Sequence, residues 1–236
     1  MREDRLSAIR ESEELLIGAF PVFLKAFVRK PAFSRPVQLQ THLRTIGIRR
    51  RLGSAAAAAT DPEFLDALYE TLRAWGIGLR GSRLTPVAEF RASLKAHKRD
   101  IAALDAMSLD NPDLDIPSTT AKVWNLVQSL RLVDNKARLV PLTKALHHLL
   151  PDLVVPMDRA YTRPFFGWHG PEFQNQQDRC FVQAFATFAR VARVANPAQY
   201  VGDGWNTSLS KVIDNAVVGV FVAARDLLDS EQPDSR

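Results

Sequence analysis

Asp158 stands where a carboxylate can do chemistry. It follows the extended turn Val154-Val155-Pro156 and opens a helical pattern, and an apolar helix carrying His147 and His148 runs into Pro151 just before it. A carboxylate so placed can activate water or stabilise a developing cation. It can equally cap its own helix by accepting the backbone amides of Tyr161 or its neighbour; the two roles are compatible. The histidines suggest less. Adjacent helical residues point about 100° apart, so His147 and His148 do not readily face one metal ion, and the His-x-x-x-His zinc spacing is absent. Further ligands would have to come from Asp152, Asp158 or His169. The expectation is a histidine packed into the core, no metal and no cofactor.

Two other groupings carry polar chemistry. In Trp75-Gly-Ile-Gly-Leu-Arg80-Gly-Ser-Arg83, two glycines close a helix and two arginines flank a third glycine. Such a turn can hold phosphate through amides and guanidiniums, or it can be a tight corner between helices. Near the C-terminus, Lys211, Asp214 and Asn215 fall three and four residues apart on one helical face. They read as a buried polar network, since polar groups in an apolar helix need partners, or as groups reaching into a shared cleft. Gly-x-Ser-x-Gly and the Lys-Ser/Thr ending of a phosphate loop are both missing. The single cysteine, Cys180, lies in the apolar pattern CFVQAFATF and reads as core.

The charge is uneven along the 236 residues. Residues 1–99 carry 18 Lys+Arg against 10 Asp+Glu, whereas residues 100–236 carry 13 against 16. Arg49-Arg50-Arg51, Arg80 and Arg83 belong to the basic half. This is the footprint of a polyanion partner, DNA or another, or else a solvated arginine-rich surface. No apolar run approaches the roughly 20 residues that span a membrane. Ala216–Ala224 is short and bounded by Asp214 and Arg225, and the first residues have no signal-peptide core; a cytoplasmic protein is expected.

The elements that must position these groups are helices. Pro21 should interrupt the first apolar helix, Gly53-Ser54 should stop the second at its basic end, and Ala55–Ala59 reads as a short helix or linker. Thr60-Asp61-Pro62-Glu63 reads as a helix start with Thr60 as cap. Gly76 and Gly78 end that helix, and Ser118 or Thr119 can cap a later one. One long helix is expected over about 171–194 and another over about 207–228. The spacing predicts an all-α, two-lobed protein: a basic lobe over 1–106, a lobe over 118–229 that carries the Asp158 turn and packs with the first, and a frayed tail over 230–236.

The order Leu142–Leu150, Pro151-Asp152-Leu153-Val154-Val155-Pro156-Met157, Asp158 resembles part of the helix-hairpin-helix DNA glycosylase superfamily, in which an apolar helix leads to a hydrophobic turn ending in aspartate. The likeness covers about 139–168. It implies a glycosylase-like helical fold, DNA as partner, and Asp158 as the catalytic aspartate, with Arg159 and Tyr161 following on the next helix. Some members carry a lysine nucleophile in the hairpin; Lys136 and Lys144 lie in this part of the chain. The stretch 132–140 has no glycine, unlike the family's hairpin, and a four-cysteine cluster is absent. On this reading the arginines and Lys136, Lys144 and Arg159 contact phosphate or substrate, and His147, His148, Tyr161, Lys211, Asp214 and Asn215 line the cleft. Two alternatives compete: a non-catalytic helical protein whose basic half meets an acidic protein, and an enzyme acting on a small acidic substrate.

Overall fold

The computed structural model describes residues 2–33, 35–78 and 82–230, apart from the side chains of 2–6 and 230. Among these the chain is all helical. In order, α1 spans Arg2–Gly18, α2 Phe20–Arg29, α3 Pro36–Leu52, α4 Ala55–Ala58, α5 Pro62–Ala74, α6 Val87–Ala96 and α7 Lys98–Ala102. After a loop come α8 Ile116–Ser129, α9 Leu139–Leu149, α10 Thr162–Phe165, α11 Gly170–Asn175, α12 Gln177–Ala195, a 3-10 turn Pro197–Tyr200, and α13 Leu209–Ser230. The described residues form no strand, only an isolated antiparallel bridge between Leu84 and Val133. No helix is long and apolar enough to cross a membrane.

Local chemistry sets most boundaries. Pro21 sits in the first turn of α2, where its missing amide costs nothing. Gly53 ends α3 in the left-handed region at φ 72°, and the alanine run is a helical turn capped by the Ser54 side chain. Two caps differ from expectation. Asp61, not Thr60, accepts the Phe64 amide at 2.8 Å and starts α5, while the Thr60 hydroxyl turns back to the Ala57 carbonyl. Likewise Asp115, not Ser118 or Thr119, caps α8 by accepting the Ser118 amide. In both cases the aspartate immediately before a Pro-containing first turn takes the cap. The long helix expected over 171–194 is broken at Gln176 into α11 and α12. The tail 231–236 and Arg80 lie outside the described residues.

The segments 1–106 and 118–229 do not pack as separate units. Helix α2 lies along α13, α1 packs on α12, α3 pairs with α5, and α9 touches α3, α5 and α8. A single large core draws Phe64, Leu68 and Phe90 from the first segment and Leu142, Phe166 and Ile213 from the second. The α2–α13 contact is close enough to depend on a glycine: a Cβ at Gly219 would lie 1.9 Å from the Phe23 carbonyl oxygen. Backbone cannot yield as a side-chain tip can, so Gly219→Ala is expected to destabilise the fold by about 3 kcal/mol. Urea denaturation compared with the parent checks it.

Candidate functional site

The end of α9 sets the Asp158 turn. The Thr143 hydroxyl donates to the Leu139 carbonyl inside the helix and accepts the Met157 amide at 3.2 Å. The amides of Leu153 and Val154 return to the Leu150 carbonyl, and residues 153–157 are buried. Asp158 therefore leaves a pinned segment. Its Oδ1 accepts the amides of Tyr161 at 2.6 Å and Thr162 at 3.3 Å, and its own amide donates to the Thr162 hydroxyl. The capping role read from the sequence is present. Both bonds fall on Oδ1, so no hydrogen bond engages Oδ2 among the described residues.

Asp158 lines a small cavity of about 30 Å³ together with Lys144, Lys211, Asp214, Gln38, Pro156 and the rings of Phe33 and Trp75. The same Asp158, Lys144, Phe33 and Trp75 also line a wider cleft of about 530 Å³, where Arg159, Tyr161, Ser82, Gln174 and Gln177 join the wall. Such an apolar hollow with a few convergent polar groups is the ordinary form of a small-molecule or reactive site.

Two lysines face it in different states. Lys211 is buried; its Nζ donates to Asp214 Oδ2 and to Asn215 Oδ1, each at 2.6 Å. Asn215 is fixed in turn by the Trp205 carbonyl and Asn206 Oδ1. The same ammonium lies 4.9 Å from the Phe33 ring centre, 5.1 Å from Trp205, and 5.8 Å from both Trp75 and Phe27. The buried-network reading of Lys211, Asp214 and Asn215 fits, and two of the three reach the cavity as well. Burial pushes the Asp214 carboxyl up from its usual range, and the Lys211 ammonium opposes that rise.

Lys144 has no such clamp. Among the described residues no hydrogen bond or ion pair engages its Nζ, which sits 5.6 Å from the Trp75 ring centre. Burial lowers its pKa from the ordinary 10.5; the carboxylates of Asp158 and Asp214 oppose the shift, and the Lys211 charge adds to it. An amine so placed is closer to its neutral, nucleophilic form.

Other residues expected at the site lie elsewhere. Arg49 is buried, with Nε on the Leu149 carbonyl and a salt bridge to Asp105. Arg50 donates to the Thr207 carbonyl at 2.6 Å, and Arg51 pairs with Glu63. Only the Arg49 guanidinium is taken up by the interior; Arg50 and Arg51 are exposed. Arg83 is exposed, on a separate groove with Arg35 and Arg73. Lys136 is exposed beside Arg138 and Gln128, away from Asp158.

His147 and His148 are buried behind the cavity. Contrary to the 100° argument, one nitrogen of each lies with one from His42 so that all three are within 4.8 Å of one another. His42, from α3, packs against both: its ring centre is 5.8 Å from His147 and 5.1 Å from His148, and those two are 4.9 Å apart. His42, Gln38 and Phe33 had no local signal, since each reaches the site from the first segment across more than a hundred residues of chain.

Comparison with family models, curated proteins and solved structures gives no match.

The Lys211 network has a measurable weight. Lys211→Met alone leaves the Asp214 carboxyl buried without its partner and is expected to cost about 3–5 kcal/mol. Adding Asp214→Leu removes the orphaned group, so the double variant should recover much of that loss. A double-mutant cycle by chemical denaturation reads the coupling.

Proposed function

We propose that this protein binds nucleic acid, with DNA as the preferred form, and excises a base at the cavity that holds Asp158 and Lys144. The carrying observation is that juxtaposition: a carboxylate pinned through one oxygen and an amine with no hydrogen-bond or ion-pair partner among the described residues line one aromatic-walled hollow beside a cleft. The helix–turn–Asp order that resembles the helix-hairpin-helix glycosylases, on an all-helical scaffold, supports the same reading.

The chemistry follows from the groups. An extruded base needs flat apolar walls, and Phe33 and Trp75 supply them. As the bond from C1′ to the base breaks, the electron pair leaves with the base and positive charge develops on the sugar. Asp158 Oδ2 stabilises that charge or orients a water toward C1′. Lys144, when neutral, attacks C1′ instead and displaces the base, which leaves with the bonding pair and takes up one amine proton; the C1′–O4′ bond then breaks, the second amine proton passes to O4′, and an imine joins Nζ to C1′. Arg159 at the cleft wall suits a backbone phosphate.

Duplexes carrying a damaged base or an abasic site test this. A reducible imine should be trapped by cyanoborohydride with the parent chain and lost in Lys144→Met. Asp158→Asn should lower excision by about 10²–10⁴-fold; excision that survives it refutes the assignment. Because burial lowers the Lys144 pKa, the trapping rate should rise with pH through an inflection below that of an exposed lysine. Binding should weaken steeply as salt increases, since phosphate neutralisation releases counterions.

One observation favours a second reading. Arg49, the first of the clustered arginines, is committed inside the fold, while Lys144 and Lys211 both line a small enclosed space. That suits a small acidic substrate in the same cavity. A thermal-shift screen of phosphorylated and carboxylated metabolites separates the two, because only a bound small molecule raises the midpoint without nucleic acid.

A further inference from the structure

Behind the cavity, hydrogen bonding fixes one nitrogen of each buried histidine and leaves the other. His148 Nδ1 is 2.8 Å from the Lys144 carbonyl, which only accepts, so Nδ1 carries the proton and Nε2 a lone pair. The Ser210 hydroxyl donates to the Pro151 carbonyl at 2.6 Å, so toward His147 it accepts; His147 Nδ1, 2.8 Å away, carries the proton. His147 Nε2 is then a bare lone pair, and it is buried with no hydrogen-bond partner among the described residues. His42 spans the gap: Nδ1 is 3.0 Å from His148 Nε2, and Nε2 is 2.8 Å from the Thr207 hydroxyl. A hydroxyl both donates and accepts, so His42 can exchange tautomers without losing its Thr207 bond.

We propose that His42, His147 and His148 form a three-imidazole site for a divalent transition metal of the zinc class. His147 Nε2 and His148 Nε2 already present lone pairs. When His42 moves its proton to Nε2, donating to Thr207, its Nδ1 turns a third lone pair toward them. No net proton is released in that exchange, and each ligand keeps an outer partner: the Lys144 carbonyl, Ser210 and Thr207. Such outer bonds are what metal-bound imidazoles ordinarily carry.

The dimensions are near those required. Zn–N bonds of about 2.0–2.1 Å in a tetrahedron place ligand nitrogens about 3.3 Å apart. The His42–His148 pair, at 3.0 Å, is slightly closer than this, and the widest pair, within 4.8 Å, must draw in. Three neutral nitrogens leave a fourth position for water. The Lys211 charge opposes a cation nearby, but Asp214 is bonded to it and offsets much of its field. The ion would tie α3 to the end of α9, directly behind Lys144 and Trp75, and so brace the cavity from outside it.

Few other ligands compete. The chain has five histidines and one cysteine; Cys180 is buried elsewhere. His97 and His169 lie outside the cluster. The untagged full chain, stripped with chelator, is titrated with Co²⁺ alone. The expected result is the intense visible absorption of tetrahedral cobalt, saturating at one ion per chain, displaced by Zn²⁺, and unchanged in His97→Gln/His169→Gln and in Asp158→Asn. Zn²⁺ should also raise the thermal midpoint of each. Absence of the bands in the folded parent chain overturns the site, as does their loss in His97→Gln/His169→Gln. Because the Asp158→Asn chain keeps the metal while losing excision, failure of this site and failure of the excision reading are separately visible.

Discussion

The cavity floor is organised by a charge that the fold buries. Lys211 sits in the first turn of α13 with almost no solvent access, and an unpaired ammonium there would be far costlier than any single packing gain. Asp214 and Asn215 answer it from the next turn of the same helix. Four rings from four parts of the chain close over it: Phe27 from α2, Phe33 from the connector that follows, Trp75 from the end of α5, and Trp205 from the loop before α13. Each ring face adds attraction that grows as water is excluded. The position of one ammonium thus fixes where four segments meet, and two of those rings are the walls of the cavity.

Two further constraints transmit that position. Gly219 lets α2 lie against α13 at backbone contact, which is what brings Phe27 and Phe33 over Lys211. At the other end, the start of α13 is bonded to the turn that follows α9: the Ser210 amide reaches the Pro151 carbonyl, and the Leu209 amide reaches Asp152 Oδ1. Burial raises the Asp152 carboxyl above its usual range, against the pull of that amide. The segment that ends at Asp158 therefore hangs between two helices, held at Thr143 of α9 and at the first turn of α13. Lys144, one residue after Thr143, shares the Trp75 ring with Lys211. The fixed charge of one lysine adds to the desolvation that weakens the charge of the other.

What could be read from the sequence was whatever depends on a few consecutive residues. Helical class, the Pro21 interruption, the Gly53 stop and the Asp158 cap are all settled within one or two turns of chain. Errors of one step, Asp61 for Thr60 and Asp115 for Ser118, arose because several good capping residues stood side by side, and only geometry chooses among them. What could not be read is long-range. Arg49 and Arg50 look like part of a basic patch, but their partners Leu149, Asp105 and Thr207 lie from 56 to 157 residues away. The histidine pair was judged for a shared metal by the angle between neighbours on one helix, while the third imidazole, 106 residues from His148, has no local signature. Polar residues that satisfy one another across the fold are the ones a linear pattern cannot assign.

On the proposed reading, a structural and a chemical role share the Asp158 side chain. Capping uses Oδ1 for two amides and locks the carboxylate plane against the turn. A free carboxylate would have to give up rotational freedom on reaching a reactive geometry; this one has already done so in folding, where the cap repays it. Oδ2 is thereby aimed by the backbone instead of by a substrate. The same logic extends to the lysines. Lys211 is held by two hydrogen bonds and serves as a fixed charge; Lys144, without a hydrogen-bond partner among the described residues, is the amine that the proposed reading makes reactive. Two lysines lining one hollow are thus separated by their hydrogen bonds.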